Sequence, residues 1–140
     1  MFWDCEKAVQ HLNQHARAHS AGRCAEFVRE AIEAGGLIVA RRSSAKDYGP
    51  SLEAVMFRAL AEWPRTVIAG DVAVIQPVAG HPHGHMAMYN GAGWVSDFKQ
   101  LHGYYPSPLY RAAKPAIVLY QHQLIYVAPP PNMQLTTKLA

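Results

Sequence analysis

The first half of the chain repeats apolar residues every three or four positions, which is the spacing of an amphipathic helix. One such stripe predicts a helix over residues 4–19, with the Asp4 side chain as its N-cap. A second predicts a helix that begins near Ser20, its N-cap, and ends at the Gly35–Gly36 pair. A third predicts a helix after Pro50, because proline suits the first helical position. The apolar positions of the three stripes are Cys5, Val9, Leu12 and Ala16; Cys24, Phe27, Val28, Ala31 and Ile32; and Leu52, Val55, Met56, Ala59 and Leu60.

Short runs of β-branched and aromatic residues replace the helical stripes after Pro64, and these runs predict strands. The Asn90–Gly93 segment between the second and third runs is typical of a hairpin turn. Helices followed by consecutive strands predict an α+β fold with an antiparallel sheet. Residues 101–115 are predicted to form an ordered loop. The predicted strands are Val72–Ile75, His85–Tyr89, Trp94–Phe98, Ala116–Tyr120 and Leu124–Val127.

The length of 140 residues limits the chain to one domain, and a 50% apolar composition is rich enough for a packed core. We expect the domain to span residues 1–128, since Pro129–Pro131 marks its end. Residues 129–140 are predicted to be a tail that is partly vector-derived, because Lys138–Ala140 resembles linker sequence. No apolar run approaches the roughly 20 residues that span a bilayer, so we expect no membrane insertion.

Charge and cysteine content narrow the classes of function. The net charge is only +3 and no basic run exceeds Arg41–Arg42, which argues against nucleic-acid binding. The charged N-terminal residues lack the apolar stretch of a cleaved signal peptide. Two cysteines cannot form a disulfide framework, whereas eight histidines are many for this length.

Cys24 lies in the first turn of the second predicted helix, a position where a thiol can act as a nucleophile. The helix dipole and the unpaired backbone N–H groups there favour the nucleophilic thiolate, and Arg23 adds positive charge. The backbone N–H of Cys24 could also contribute to an oxyanion hole. The alternative is a purely structural role, because Cys24 lies on the apolar stripe and free cysteines are often buried. Cys5, on the first stripe, is predicted to pack in the core.

Three candidate bases for a thiol nucleophile lie close together in sequence, and His85 is favoured over His81 and His83 because it opens a strand. A catalytic base needs an orienting acceptor, and Asp97 in the next predicted strand is the first candidate. A three-residue hairpin loop centred on Gly91 would place Asp97 opposite His85, on the same face of the sheet. The triad hypothesis therefore predicts a loop with an odd number of residues.

Two other readings of the same residues remain open. The side chains of His81, His83 and His85 could bind zinc in a metal-dependent hydrolase, and so could a helical row of His11, His15 and His19. The chain could instead be a non-catalytic module that binds a peptide or a partner protein. Its contact surface would then be the aromatic segment Tyr104–Pro106 with Tyr110.

Several sequence blocks, in this order and spacing, resemble the NlpC/P60 superfamily, with the CHAP-type amidases as the nearest branch. Three of them match its cysteine, middle-strand and histidine segments. Two more resemble the type VI secretion amidase effectors, and their third family most closely. The resemblance extends over residues 15–120. The first three blocks are Ser20–Arg29, Gly70–Ile75 and Gly84–Tyr89, and the other two are Ser44–Pro50 and Trp94–Phe98.

This resemblance implies a papain-like fold with Cys24 as nucleophile, His85 as general base and acid, and Asp97 as the residue that orients His85. It implies no metal or other cofactor. Further residues are expected to line the cleft: Arg23, Tyr48, His81, His83 and Ser96.

The resemblance also implies a biological role. We expect an antibacterial effector that hydrolyses amide bonds in peptidoglycan stem peptides or crosslinks. The D-Ala–diaminopimelate crosslink is the favoured bond, and the γ-D-Glu–diaminopimelate bond is the alternative. Expected partners are a secretion apparatus and a cognate immunity protein. The protein would be made in the cytoplasm without a cleaved leader and would act in the periplasm of a target bacterium.

Overall fold

The structure is a computed structural model that describes residues 2–63 and 66–123 of the chain. Within those ranges, two helices come first and most of the strands follow, as the apolar pattern predicts. None of the helices there is long and apolar enough to cross a membrane. The helices are α1 (Cys5–His15), α2 (Cys24–Ala34), α3 (Gly49–Glu53) and α4 (Pro108–Ala113), with a 3-10 turn at Ala45–Asp47. The strands are β1 (Phe57–Ala59), β2 (Val72–Ile75), β3 (His85–Tyr89), β4 (Trp94–Val95) and β5 (Ile117–His122).

The strands pair into one antiparallel sheet in the order β1-β5-β2-β3-β4, which confirms the predicted α+β class. All four side chains of the central strand β2 are buried, so both faces of the sheet must be covered. Val72 and Val74 belong to the core on the helical face. Ala73 and Ile75 belong to a second, aromatic core on the opposite face.

Helices α1 and α2 pack on the first face and are tied together at one end. Leu12 and Ile32 are almost fully buried in their shared core. The indole N–H of Trp3 donates a hydrogen bond to the Ile32 carbonyl at 3.0 Å. The Asp4 carboxylate accepts from the backbone N–H of Lys7 at 3.1 Å, which confirms its predicted role as N-cap.

The opposite face is covered by aromatic side chains and by α4, a helix that the apolar pattern missed. Residues 101–115 were expected to form a loop, but this segment contains one turn and a half of helix. Pro108 begins the helix, and the Ser107 hydroxyl accepts from the backbone N–H of Tyr110 at 3.4 Å. These local start signals, rather than an apolar stripe, define α4.

The third predicted helix is wrong beyond Glu53. The backbone of Met56 adopts a φ of 76°, which ends the helical path, and Phe57–Ala59 then pairs with β5 as a strand. Over so short a segment, apolar spacing alone does not distinguish a helix from a helix followed by a strand.

The predicted ends of two strands also differ from the structure. β4 stops at Val95 because the chain reverses there, and the Ser96 N–H donates to the Phe98 carbonyl at 3.0 Å. β5 continues to His122, two residues beyond its expected end. The predicted strand Leu124–Val127 and the predicted tail 129–140 lie outside the described residues.

Gly35 allows the close approach of the N-terminal segment to the end of α2. A Cβ atom at this position would lie 2.5 Å from both the Asp4 carbonyl oxygen and the Trp3 indole nitrogen. We therefore expect Gly35→Ala to lower the free energy of unfolding by about 1–3 kcal/mol, measured by urea denaturation. Gly93→Ala is the matched control, since a Cβ there meets nothing within 4 Å. Equal stability of the two variants would contradict this packing.

Candidate active site

A groove of about 770 Å³ opens where the N-terminus of α2 meets the start of β3. Cys24 and His85 both line it, each as the first residue of its element. The structure thus brings together the two residues that the sequence analysis placed at the centre of the chemistry. Four of the five expected cleft residues line the same groove: Arg23, Tyr48, His81 and His83.

The surroundings of Cys24 stabilise its neutral thiol. Burial raises the pKa of Cys24 to about 11. The backbone N–H of Met86 on β3 lowers it, and so, to a smaller extent, do those of Ala25 and Cys24 itself. The negative charge of Asp97 opposes these donors. Desolvation of Cys24 thus opposes the thiolate that the helix N-terminus was expected to favour.

His85 is buried at the start of β3, with only 6% of its surface exposed. Burial lowers the pKa of His85 to about 4, although a hydrogen bond to Gln100 and the charge of Asp97 act in the opposite direction. Gly84 allows the backbone just before β3 to pass close to the end of β2, because a Cβ atom there would collide with the Ile75 carbonyl oxygen. Burial therefore disfavours the charged form of both His85 and Cys24.

Gln100 is the partner of His85 and was missed by the sequence analysis. Its Oε1 atom lies 2.7 Å from His85 Nε2. Its amide nitrogen donates to the carbonyls of Gly103 and Tyr104, both at 2.9 Å, so the amide orientation is fixed. An amide oxygen only accepts, and the neutral His85 ring must therefore carry its hydrogen on Nε2. Nδ1 is left as the basic nitrogen.

Asp97 holds the segment that leads into α2 instead of pairing with His85. Its fully buried carboxylate accepts from the backbone N–H groups of Ala21 at 2.7 Å and Arg23 at 3.0 Å. It also accepts from the Ser20 hydroxyl at 3.2 Å. α2 accordingly begins at Cys24 rather than near Ser20, and no side chain of its own caps it.

The hairpin register explains why the expected Asp97–His85 pairing is wrong. Tyr89 pairs with Trp94, so the loop Asn90–Gly93 has four residues rather than an odd number. The chain then turns back after Val95, and Gln100 rather than Asp97 reaches the histidine ring. Asp97 acts on His85 only through its charge.

Ser96 is a further correction among the predicted cleft residues. It is fully buried, and its hydroxyl lies 3.5 Å from the Asp97 carboxylate, below the groove surface. Tyr110 lines the groove instead, with its ring centroid 6.0 Å from that of His85. Tyr104 packs in the same aromatic cluster as Tyr110, but of the predicted aromatic contact surface only Pro106 and Tyr110 line the groove.

The alternative metal site finds no support in the geometry. In residues 2–63 and 66–123, no three His, Cys, Asp or Glu side chains are placed to hold a metal ion. His83 Nδ1 lies 2.6 Å from the Ser44 hydroxyl, and His85 Nε2 is bound to Gln100. On α1, the rings of His11 and His15 stack with centroids 3.9 Å apart.

Cys5 is separate from the groove. Its thiol donates to the Ala69 carbonyl at 3.1 Å and packs against the helical core. Burial, with smaller contributions from Asp71 and Asp4, raises the pKa of Cys5 to about 11. Both cysteines are free thiols in this structure.

Comparisons with known proteins decide the family. No protein-family model and no curated protein matches the chain. The crystal structure of the type VI native effector–immunity complex Tae3–Tai3 from Ralstonia pickettii contains a chain that is 52% identical. The match covers 86% of this chain and 100% of that one, with a TM-score of 0.81. The chain belongs to the Tae3 family of type VI effectors.

A second structure of the Ralstonia pickettii Tae3–Tai3 complex, with selenomethionine, agrees with the first. It contains a chain 55% identical to this one, and the match covers 82% of this chain and 99% of that one with a TM-score of 0.76. The two structures therefore agree on the family.

The hydrogen bonds of the Asp97 carboxylate predict that this side chain is required for the stability of the groove in this Tae3-family protein. Asp97→Asn replaces one acceptor oxygen with a donor that faces backbone N–H groups. We expect the free energy of unfolding to fall by about 2–3 kcal/mol, measured by urea denaturation. Asp47→Asn is the control, because Asp47 is exposed and its carboxylate makes one surface ion pair, 3.7 Å from Lys46 Nζ. A loss no larger than that of the control would show that Asp97 does not hold the helix entrance.

Proposed function

We propose that this chain is an antibacterial peptidoglycan amidase that uses Cys24 and His85 in a papain-like thiol mechanism. The observation that carries the proposal is the presence of both side chains in one groove, each fixed by the start of a regular element. Membership of the Tae3 family supports the effector role. The resemblance to the NlpC/P60 superfamily supports the amide chemistry.

The reaction begins from a neutral pair. A thiol with a raised pKa and an imidazole with a lowered pKa do not exchange a proton before substrate arrives. His85 Nδ1 takes the thiol proton as the Cys24 sulfur attacks the amide carbonyl carbon. Gln100 accepts from Nε2–H throughout, and it stabilises the imidazolium together with the nearby charge of Asp97.

The tetrahedral intermediate places a negative charge on the former carbonyl oxygen. The backbone N–H of Cys24, at the first position of α2, has no partner within the helix and can donate to that oxygen. The imidazolium then gives its proton to the leaving amine as the carbon–nitrogen bond breaks. Water, deprotonated by His85, hydrolyses the thioester and restores the thiol.

The substrate of the proposed reaction is the peptide part of peptidoglycan. We favour the D-Ala–diaminopimelate crosslink, with the γ-D-Glu–diaminopimelate bond as the alternative. The groove is open enough for an extended peptide, since the exposed loop of His81 and His83 forms one of its rims. Mass spectrometry of digested muropeptides distinguishes the two bonds, because cleavage of the crosslink converts dimers into intact tetrapeptide monomers.

The Tae3 relatives were crystallised with the immunity protein Tai3, which supports the proposal that a cognate immunity protein binds this chain. Such a protein would protect the producing cell by covering the groove. A type VI secretion apparatus would deliver the effector to the periplasm of a target bacterium, where its substrate lies.

Removal of either reacting side chain should abolish hydrolysis. We expect Cys24→Ser and His85→Gln each to lower kcat by about 1,000-fold or more, measured as release of monomeric muropeptides by mass spectrometry. Cys5→Ser is the control for cysteine loss and should keep its activity. A chelator should leave the rate unchanged. Full activity of Cys24→Ser, or loss of activity with the chelator, would contradict the thiol mechanism.

The amide of Gln100 is expected to act as a positioning group for His85. In the wild-type protein, kcat/KM should fall only below about pH 4, where the buried imidazole becomes protonated. Gln100→Glu places a carboxylate against Nε2 and should move this acid limb to higher pH. Gln100→Ala should lower kcat by about 10-fold to 100-fold with little change in KM.

The control for these variants is Gln123→Ala, because within the described residues the side-chain amide of Gln123 bonds only the Gln121 carbonyl, at the surface. Thermal melting of each variant would verify folding. An acid limb that stays in place in Gln100→Glu would show that Gln100 does not act through His85.

A further inference from the structure

Arginine side chains dominate one wall of the groove. Arg23, Arg29, Arg41 and Arg42 line it, whereas Glu26 is its one acidic lining residue in the described part of the chain. A peptide amide is neutral, so hydrolysis of the scissile bond does not itself require this excess of positive charge. The charge instead points to an anionic group elsewhere on the bound molecule.

Two of these arginines already have acidic partners. Arg23 is paired with Glu26, and Arg29 Nη1 lies 2.8 Å from Glu33. Neither of them is free to neutralise a ligand without loss of that ion pair. The uncompensated charge of the wall is therefore that of Arg41 and Arg42.

Arg41 and Arg42 have no carboxylate partner within residues 2–63 and 66–123. Both are exposed to solvent on the segment between α2 and α3. Arg42 Nε donates to the buried Ser51 hydroxyl at 2.7 Å, which orients the guanidinium and leaves its terminal nitrogens for another acceptor. Arg41 is near the first turn of α2, because its charge contributes, after those of Arg23 and Arg29, to lowering the pKa of Glu26.

We propose that Arg41 and Arg42 form a carboxylate-binding subsite that holds a free carboxylate of the peptide substrate beside the scissile amide. The guanidinium group presents parallel N–H donors that match the two oxygens of a carboxylate. Both guanidinium groups line the same groove and lack a carboxylate partner within the described residues, so an anionic ligand there would neutralise positive charge. This assignment rests on the proposed peptidoglycan substrate, whose stem peptides carry free carboxylates.

The subsite would contribute to substrate binding rather than to the chemical step. Neither arginine contacts Cys24 or His85 through a hydrogen bond in the described structure, so their loss should raise KM and leave kcat nearly unchanged. Because both arginines are exposed, the contribution should weaken as ionic strength rises.

The test measures ligand binding to a variant that lacks the proposed nucleophile, so that the result does not depend on turnover. Cys24→Ala is titrated calorimetrically with a purified crosslinked muropeptide and with the same muropeptide after its free carboxylates are converted to amides. We expect binding of the carboxylate form to be about tenfold tighter. Arg41→Ala or Arg42→Ala, made in the same background, should remove this preference, and Arg42→Lys should restore part of it.

Arg58→Ala is the matched control, since Arg58 is an exposed arginine on β1 outside the groove. Arg41→Ala should fold like the parent protein, because the Arg41 side chain makes no hydrogen bond in the described residues. Loss of the preference in this variant would therefore not be due to misfolding. Equal binding of the two ligands, no measurable binding of either, or an undiminished preference in both arginine variants would overturn the subsite.

These outcomes are separable from failure of the proposed function. Hydrolysis of the muropeptide by the Cys24→Ala variant would refute the thiol mechanism, while the binding preference would still report on the arginines. Conversely, equal binding of both ligands, with hydrolysis by the wild-type protein alone, would refute the subsite and keep the mechanism.

Discussion

The groove depends on one buried carboxylate. Asp97 lies just beyond β4, and its carboxylate accepts hydrogen bonds from the backbone N–H groups of Ala21 and Arg23. It therefore joins the sheet to the N-terminus of α2. A charged group buried at this position is stable only while those donors remain in place. The first turn of α2 is thereby held against β3, with the Cys24 sulfur next to the Met86 N–H.

This arrangement has a chemical consequence for the neighbouring side chains. Packing the N-terminal end of α2 against the start of β3 buries the imidazole and half-buries Cys24, and desolvation favours the neutral form of each. Burial therefore disfavours the reactive thiolate in the free protein. Positive charge develops on His85 only during attack, where Gln100 Oε1 and the charge of Asp97 can stabilise it. The same carboxylate thus supports the fold and biases the chemistry.

The sequence was informative wherever a local signal determined the position of a residue. The apolar stripe of α2 placed Cys24 in the first turn of its helix, although the predicted start near Ser20 was too early, and the strand pattern placed His85 at the start of β3. Gln100 could not be found in this way, because its position follows from two chain reversals, at Asn90–Gly93 and just after Val95. One residue more or less in either reversal changes which side chain reaches His85.

The other misses have related causes. Asp97 was selected as a hydrogen-bond acceptor in the predicted strand next to His85, but its partners lie more than 70 residues earlier in the chain. Arg41 and Arg42 lie in a segment without periodicity, so nothing in the pattern relates them to the groove. Helix α4 is short and begins with a Ser-Pro signal rather than an apolar stripe.

The protonation state of His85 is the most direct test of this account. Nitrogen-15 NMR of the imidazole ring in the free wild-type protein distinguishes its two neutral tautomers from the imidazolium. We predict one neutral tautomer at pH 7, with hydrogen on Nε2 and a bare Nδ1. An imidazolium at pH 7, or a hydrogen on Nδ1, would contradict the neutral Cys24–His85 pair oriented by Gln100.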